Sequence, residues 1–252
     1  MRFLRQTAPF LGPAALAALG LAFPRPAAAQ TTTTFVSDTS WSVTDASNTS
    51  IGSAQYVVLN SQYPTRQPPG ATDYGSTASP GWTADLSSIP GAYWIWAPGI
   101  TGATTGASLS QFSFSHQFFL SGTPTAGTIS VAVDDFASVY VNGTLAGSTG
   151  SISDASVAFK AQSALATFDL TPYLTSGQNT ILIRAQNGPD SFSGGTPNPP
   201  YSLNTAGVVF GGSITSAPAV PEASTTVSLG LLLALGLGGL VVGVRKKTRT
   251  RP

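Results

Sequence analysis

The chain has 252 residues, of which only 8% are charged, with 27 Gly, 19 Pro and no Cys. Disulfides, thiolate metal sites and a cysteine nucleophile are therefore excluded, and helices with Glu, Lys and Arg surfaces are disfavoured. The net charge of +1 hides an asymmetry. Residues 30–221 hold three basic residues (Arg66, Lys160, Arg184) and nine Asp, so this stretch carries a net charge of −6, which disfavours nucleic acid as a partner.

The first 29 residues read as a signal peptide. Met1, Arg2 and Arg5 supply a positive start, Phe10 to Phe23 an apolar stretch, and Ala27-Ala28-Ala29 the small residues a signal peptidase accepts. Cleavage is expected between Ala29 and Gln30, with Ala27 at the other small-residue position. The apolar stretch is short and broken by Pro13 and Pro24, which argues against a spanning anchor.

Residues 30–217 suit one domain rather than two. Strand patterns dominate. In Phe112–Leu120 the residues Phe112, Phe114, His116, Phe118 and Leu120 share one face, the period-2 alternation of a half-buried strand. Similar runs are Trp41–Thr44, Gln55–Leu59, Ile129–Val133, Ala137–Val141, Thr180–Gln186 and Ala206–Ile214, separated by Gly, Pro or Asn turns. No helix is expected within the domain. The predicted fold is all-β, an antiparallel sandwich of two sheets sharing a core.

Asn142-Gly143 is the favoured dipeptide for a tight hairpin turn. Thr171 is placed to cap a short helical turn with Pro172 at its first position and Gly177 at its end. The stretch from Ile129 to Gly143, with its acidic turn and Val-Asn-Gly ending, and the stretch Phe168 to Asn187, with Asp-Leu-Thr-Pro-Tyr-Leu and a Gly-Gln-Asn-Thr turn, together resemble galactose-binding-like jelly rolls. That resemblance covers residues 110–212 and implies a jelly-roll sandwich of the kind found as sugar-binding modules beside glycoside hydrolase domains.

Candidate ligand residues follow from chemistry. Trp82, between Gly81 and Thr83, and Tyr74 are expected as exposed rings on which a sugar can stack. Trp94 and Trp96 are assigned to the core by alternation. Asp134 and Asp135 are candidates for Ca²⁺ ligation or for a sugar hydroxyl, the competing reading being a solvated acidic turn. Asn142 is the neighbouring amide. No other cofactor is implied. His116, the single histidine, is expected as a hydrogen-bonded interior residue, and Asp73, Asp85, Asp154 and Asp190 as surface-turn acids. With no second His, no Cys and no Glu in the domain, the sequence offers no catalytic constellation.

Residues 218–252 form the tail. Val227 to Val244 is uncharged and apolar, long enough to cross a bilayer as a helix, and Arg245, Lys246 and Lys247 follow with Arg249 and Arg251. By the positive-inside rule the basic end stays cytoplasmic and the domain lies across the membrane. Val220-Pro221-Glu222-Ala223 stands just before the span, and Glu222 is the only Glu in the chain. A Pro-Glu motif, an apolar helix and a basic cluster in this order resemble PEP-CTERM sorting tails, with Ala223 where that family usually has a second proline. The resemblance implies an exosortase as processing partner, transient membrane anchoring, and delivery to the cell surface or matrix, with polysaccharide as the expected contact.

Overall fold

The computed structural model describes residues 29–59, 68, 70–75 and 81–218. The expected signal segment through Ala27, the motif Val220 to Ala223, the apolar span 227–244 and Arg245, Lys246 and Lys247 lie outside the described residues. Among the described residues, no helix is long and apolar enough to cross a membrane.

In chain order the strands are β1 (Thr31–Val36), β2 (Ser42–Asp45), β3 (Ser50–Ser53), β4 (Gln55–Val58), β5 (Thr72–Asp73), β6 (Ile95–Trp96) and β7 (Gln111–Leu120). Then come β8 (Pro124–Asp134), β9 (Phe136–Val141), β10 (Thr144–Gly150), helix α1 (Ala155–Ser163), β11 (Ala166–Asp169), β12 (Gly177–Gln186) and β13 (Gly207–Ser216). They form two sheets. One runs β11-β8-β13-β6-β4-β5 with β1 also on β13, and the other runs β10-β9-β12-β7-β2-β3. Every pairing is antiparallel except β4 with β5. The described residues form the expected two-sheet sandwich, mostly β with one helix.

The core follows the pleat. Along β12, Asn179, Ile181, Ile183 and Ala185 are buried while Thr180, Leu182, Arg184 and Gln186 are half-buried on the other face. Phe114 and Val43 from the same sheet, and Val131, Val133, Val208 and Phe210 from the facing sheet, are fully buried. Each such aliphatic or Phe side chain stabilises the fold by about 1.5–3 kcal/mol relative to exposure. Trp41 packs edge-on against Phe210 at 4.5 Å, and Trp96 meets Phe112 and Phe114, so aromatic rings bridge the sheets. Trp94 and Trp96 are core residues, as alternation implied. His116 is half-buried and packs on Trp41 at 5.3 Å.

The seven-stranded sheet is covered on its other face as well. A Cβ at Gly207 would meet the Trp82 and Trp94 rings at 2.7–3.0 Å, and one at Gly211 would meet Ile89 at 2.9 Å. These two glycines let the irregular segment 81–94 lie directly on β13.

Two local expectations need correction. Residues Ala155–Ser163 form a helix where none was expected, capped by Asp154, whose Oδ1 accepts the backbone N–H groups of Ser156 and Val157. Its Ala-rich sequence has helix propensity without the charged face that marks most surface helices. The turn at Thr171–Tyr173 is a 3-10 turn with Leu170, not Thr171, at its cap position, and Asp169 Oδ1 accepts the Thr171 N–H. The Thr171 hydroxyl instead accepts from the Gly127 N–H, and Gly177 opens β12 at φ 92°.

The chain enters and leaves at the same end. Thr31 pairs with Ser216, and the Ala217 N–H donates to Thr123 O. β13 runs from there to Gly207, which pairs with Asp134, so the Asp134–Asp135 turn marks the far end.

Candidate functional site

The β8–β9 turn places two consecutive carboxyls inside the protein: Asp134 is 3% exposed and Asp135 is 2% exposed. They are neither a solvated turn nor a surface site, because four separate segments cover them. Trp82 Nε1 donates to Asp134 Oδ2 at 2.9 Å and the Thr205 hydroxyl donates to the same oxygen at 2.8 Å. Gln162, on α1, donates from Nε2 to Asp134 Oδ1 at 2.5 Å and to Asp135 Oδ1 at 2.8 Å. The Gly188 N–H donates to Asp135 Oδ2 at 2.7 Å. A Cβ at Gly188 would fall 2.5 Å from that oxygen, so the close approach requires glycine.

Electrostatics sets the protonation. Burial, then the neighbouring Asp135 charge, pushes the Asp134 carboxyl well above the usual carboxylate range. Burial raises Asp135 too, but hydrogen bonds from Asp134, the Gly188 N–H and Gln162 offset part of that rise. Two adjacent buried carboxyls cannot both ionise at low cost, so the pair titrates as a unit, with Asp134 the more strongly raised of the two.

The calcium expectation does not fit this donor set. Every partner named above is an N–H or O–H donor pointing at a carboxyl oxygen, whereas Ca²⁺ requires a shell of six to eight oxygens. Among the described residues no group of three or more His, Cys, Asp or Glu is placed to hold a metal.

The aromatic candidates lie in the same interior. Trp82 is 1% exposed and stacks on Trp94 with centroids 4.3 Å apart, which corrects its expected role as a surface ring. Tyr74 is also 1% exposed, lies edge-on to Trp82 and packs at 5.6 Å from Tyr201. Burial, with Tyr201 and Asp134 nearby, raises the Tyr74 hydroxyl well above its ordinary value. Burial likewise raises Tyr201, which donates to Ser110 at 2.8 Å.

Trp82, Tyr74, Asp134 and Asp135 are therefore brought together, as one interior cluster rather than a binding face. Asn142 is not part of it. It sits at the opposite end of β9 in the left-handed region (φ 52°), beside Gly143, where the turn was expected. Its Nδ2 donates to Tyr173 O and Asn179 Oδ1, and its Oδ1 accepts the Thr180 N–H, each at 2.9 Å. The amide is consumed in locking that end of the sandwich.

Gln162, Thr205 and Gly188 complete the cluster from 27 to 71 residues away in sequence, and periodicity carries no signal for them. Two surface grooves, of about 350 and 340 Å³, are lined by 148–150 with Val157, Lys160, Ala161 and 164–166, and by Leu86, Ser87 and 90–93, and neither is lined by the aspartate pair.

No family model matches the sequence, and no curated protein matches it. Among solved structures, the α-L-rhamnosidase of Streptomyces avermitilis aligns over 49% of this chain and 10% of that enzyme, at 22% identity and TM-score 0.36. The Aspergillus terreus α-L-rhamnosidase aligns over 49% and 15%, at 15% identity and TM-score 0.34. The Ruminococcus gnavus β-glucuronidase aligns over 49% and 24%, at 14% identity and TM-score 0.32. The chain thus spans a quarter or less of these enzymes. Alignments this partial carry neither a reaction nor a ligand to it, and its architecture, a two-sheet β-sandwich, rests on its own strand pairings.

Proposed function

We propose that this chain is an exported cell-surface or matrix protein: a signal peptide, a galactose-binding-like jelly-roll sandwich that contacts polysaccharide without catalysing a reaction, and a PEP-CTERM-type tail. The observation that carries this reading is the order of residues 220–251: Pro-Glu, 18 uncharged apolar residues, then five basic residues. The common exit of β1 and β13 suits it, because a domain whose two ends leave together can be tethered from one end with its opposite end outward.

Intact mass and cell fraction of the mature protein test this. The expected product lacks residues 1–29, is trimmed near Glu222, and is recovered from the envelope or medium. A full-length chain soluble in the cytosol would overturn the reading. A Glu222→Ala variant is expected to remain membrane-bound; identical processing of variant and parent would remove the exosortase step.

A second reading has a specific observation in its favour. Since Trp82, Tyr74, Asp134 and Asp135 are all interior, the domain can also serve as a structural envelope or biofilm component acting through protein contacts. Matrix cohesion lost on deletion, with no affinity for any polysaccharide, would decide for it.

A further inference from the structure

The seven-stranded sheet has segment 81–94 on its outer face, whereas the six-stranded sheet presents side chains there. Its outward positions on β7 include Ser115, Gln117 and Phe119, the last 70% exposed, and on β12 Thr180, Leu182 and Arg184, none of these six buried. No outward position on β7, β9 or β12 is acidic, although residues 30–221 hold nine Asp. Toward one end of this uncharged field, on β12, stands one cation. Arg184 lies in register between Ser113 and Ser138, its guanidinium 5.5 Å from the Tyr140 ring centroid. Its Nε is buried with no hydrogen-bond partner among the described residues.

A guanidinium held on an aromatic face is pre-set for planar, two-pronged recognition of a carboxylate. Phe119 pairs with Gln178, six residues along β12 from Arg184, which puts the two about 20 Å apart at strand rise. Between them Thr180 and the Gln117–Gln178 amide pair, bonded at 3.2 Å, offer donors and acceptors to neutral hydroxyls. A single sugar cannot reach both ends, whereas an extended chain can.

We propose that the outer face of the six-stranded sheet binds an extended, uronate-bearing polysaccharide, with Arg184 receiving a carboxylate and Phe119 packing against a sugar ring. This rests on the reading of the domain as a polysaccharide-contacting module and names the ligand class and the surface.

The test titrates the full-length chain in detergent with polygalacturonate, alginate, neutral dextran and monomeric galacturonic acid. A uronate polymer is expected to bind roughly tenfold or more tightly than dextran, to bind more weakly as salt rises, and to exceed the monomer by about a hundredfold. Arg184→Gln, Gln117→Glu and Phe119→Ser are each expected to weaken uronate binding roughly tenfold or more. Gln117 and Phe119 are exposed, so those two variants should keep the parental melting temperature and remain informative if Arg184→Gln unfolds. Uronate affinity unchanged in both would overturn the proposal. Dextran bound as tightly as uronate, with Gln117→Glu silent, would also overturn it while leaving polysaccharide contact standing elsewhere. No binding to any of the polymers would remove both, leaving a protein partner.

Discussion

The indole N–H of Trp82 and the carboxyl of Asp134 meet at 2.9 Å inside the protein, 52 residues apart in sequence. This one bond ties the irregular segment on the outer face of β13 to the β8–β9 turn, and gives the buried acid a donor that water would otherwise supply. Trp82 is thus a strut of the far end of the sandwich. Its replacement by Ala is expected to cost about 3–5 kcal/mol through lost packing. Trp82→Phe keeps much of the stack on Trp94 and should cost about 0.5–1.5 kcal/mol for the one lost hydrogen bond, since Thr205 still donates to that Asp134 oxygen. Urea denaturation measures both; a Trp82→Phe protein of parental stability would contradict this role.

Asp134 sets a pH dependence of defined sign. Unfolded, it titrates near the ordinary aspartate value of about 3.9. Folded, its pKa lies well above that, with Asp135 raised in the same direction, so the folded state binds more protons between the two values. Their contribution is fully present below the unfolded pKa and is lost as pH rises through the folded one. Asp154 and Asp169, exposed and held low by hydrogen bonds from Ser156 and Thr171, act oppositely, losing their contribution as pH falls through their folded pKa. Thermal melts from about pH 5 to about pH 8 should show stability falling in the parent and a flatter profile in Asp134→Asn, whose neutral amide mimics the protonated acid. Parallel profiles would contradict the assignment.

Gly150 and Gly143 share φ 81° but differ in surroundings. A Cβ at Gly143 meets nothing within 4 Å, whereas at Gly150 it would sit 1.8 Å from the Asp135 carbonyl oxygen. Gly143→Ala is expected to cost about 1–2 kcal/mol, the backbone penalty alone. Gly150→Ala should exceed it by about 1–3 kcal/mol for the forced displacement. Equal losses in denaturation would show that the β10 end does not pack on the aspartate turn as described.

At the opposite end, Asn142→Ala removes three hydrogen bonds from a residue in the left-handed region and should cost about 2–4 kcal/mol. Asn142→Gly restores the backbone freedom and should recover about 1 kcal/mol of that loss. Melting temperatures of the pair check the ordering.

The alternation in β7 and β12 was legible because each buries one face, and Asn142-Gly143 because the turn chemistry is local. β1 was not, since four consecutive Thr carry no period and its place is fixed only by pairing with β13. Helix α1 escaped because its single charged residue, Lys160, gives no amphipathic charge pattern. Pairing of Asp134 with Asp135 is visible in sequence, but their burial depends on Gln162, Thr205 and Trp82, brought in from distant segments. Trp82 looked exposed because glycine flanks it; the glycine that matters is Gly207, whose missing side chain admits the ring.

On the proposed reading the sandwich works outside the cytosol, where an added thiol would be open to reagents that cannot cross a membrane. The chain has no Cys, so Ser88→Cys, at an exposed position, introduces a sole thiol. Labelling of intact producing cells with a membrane-impermeant maleimide reads the side of the membrane on which it lies. Labelling before lysis is expected to equal that after it; labelling that appears only once the cells are broken would rule out an exported domain.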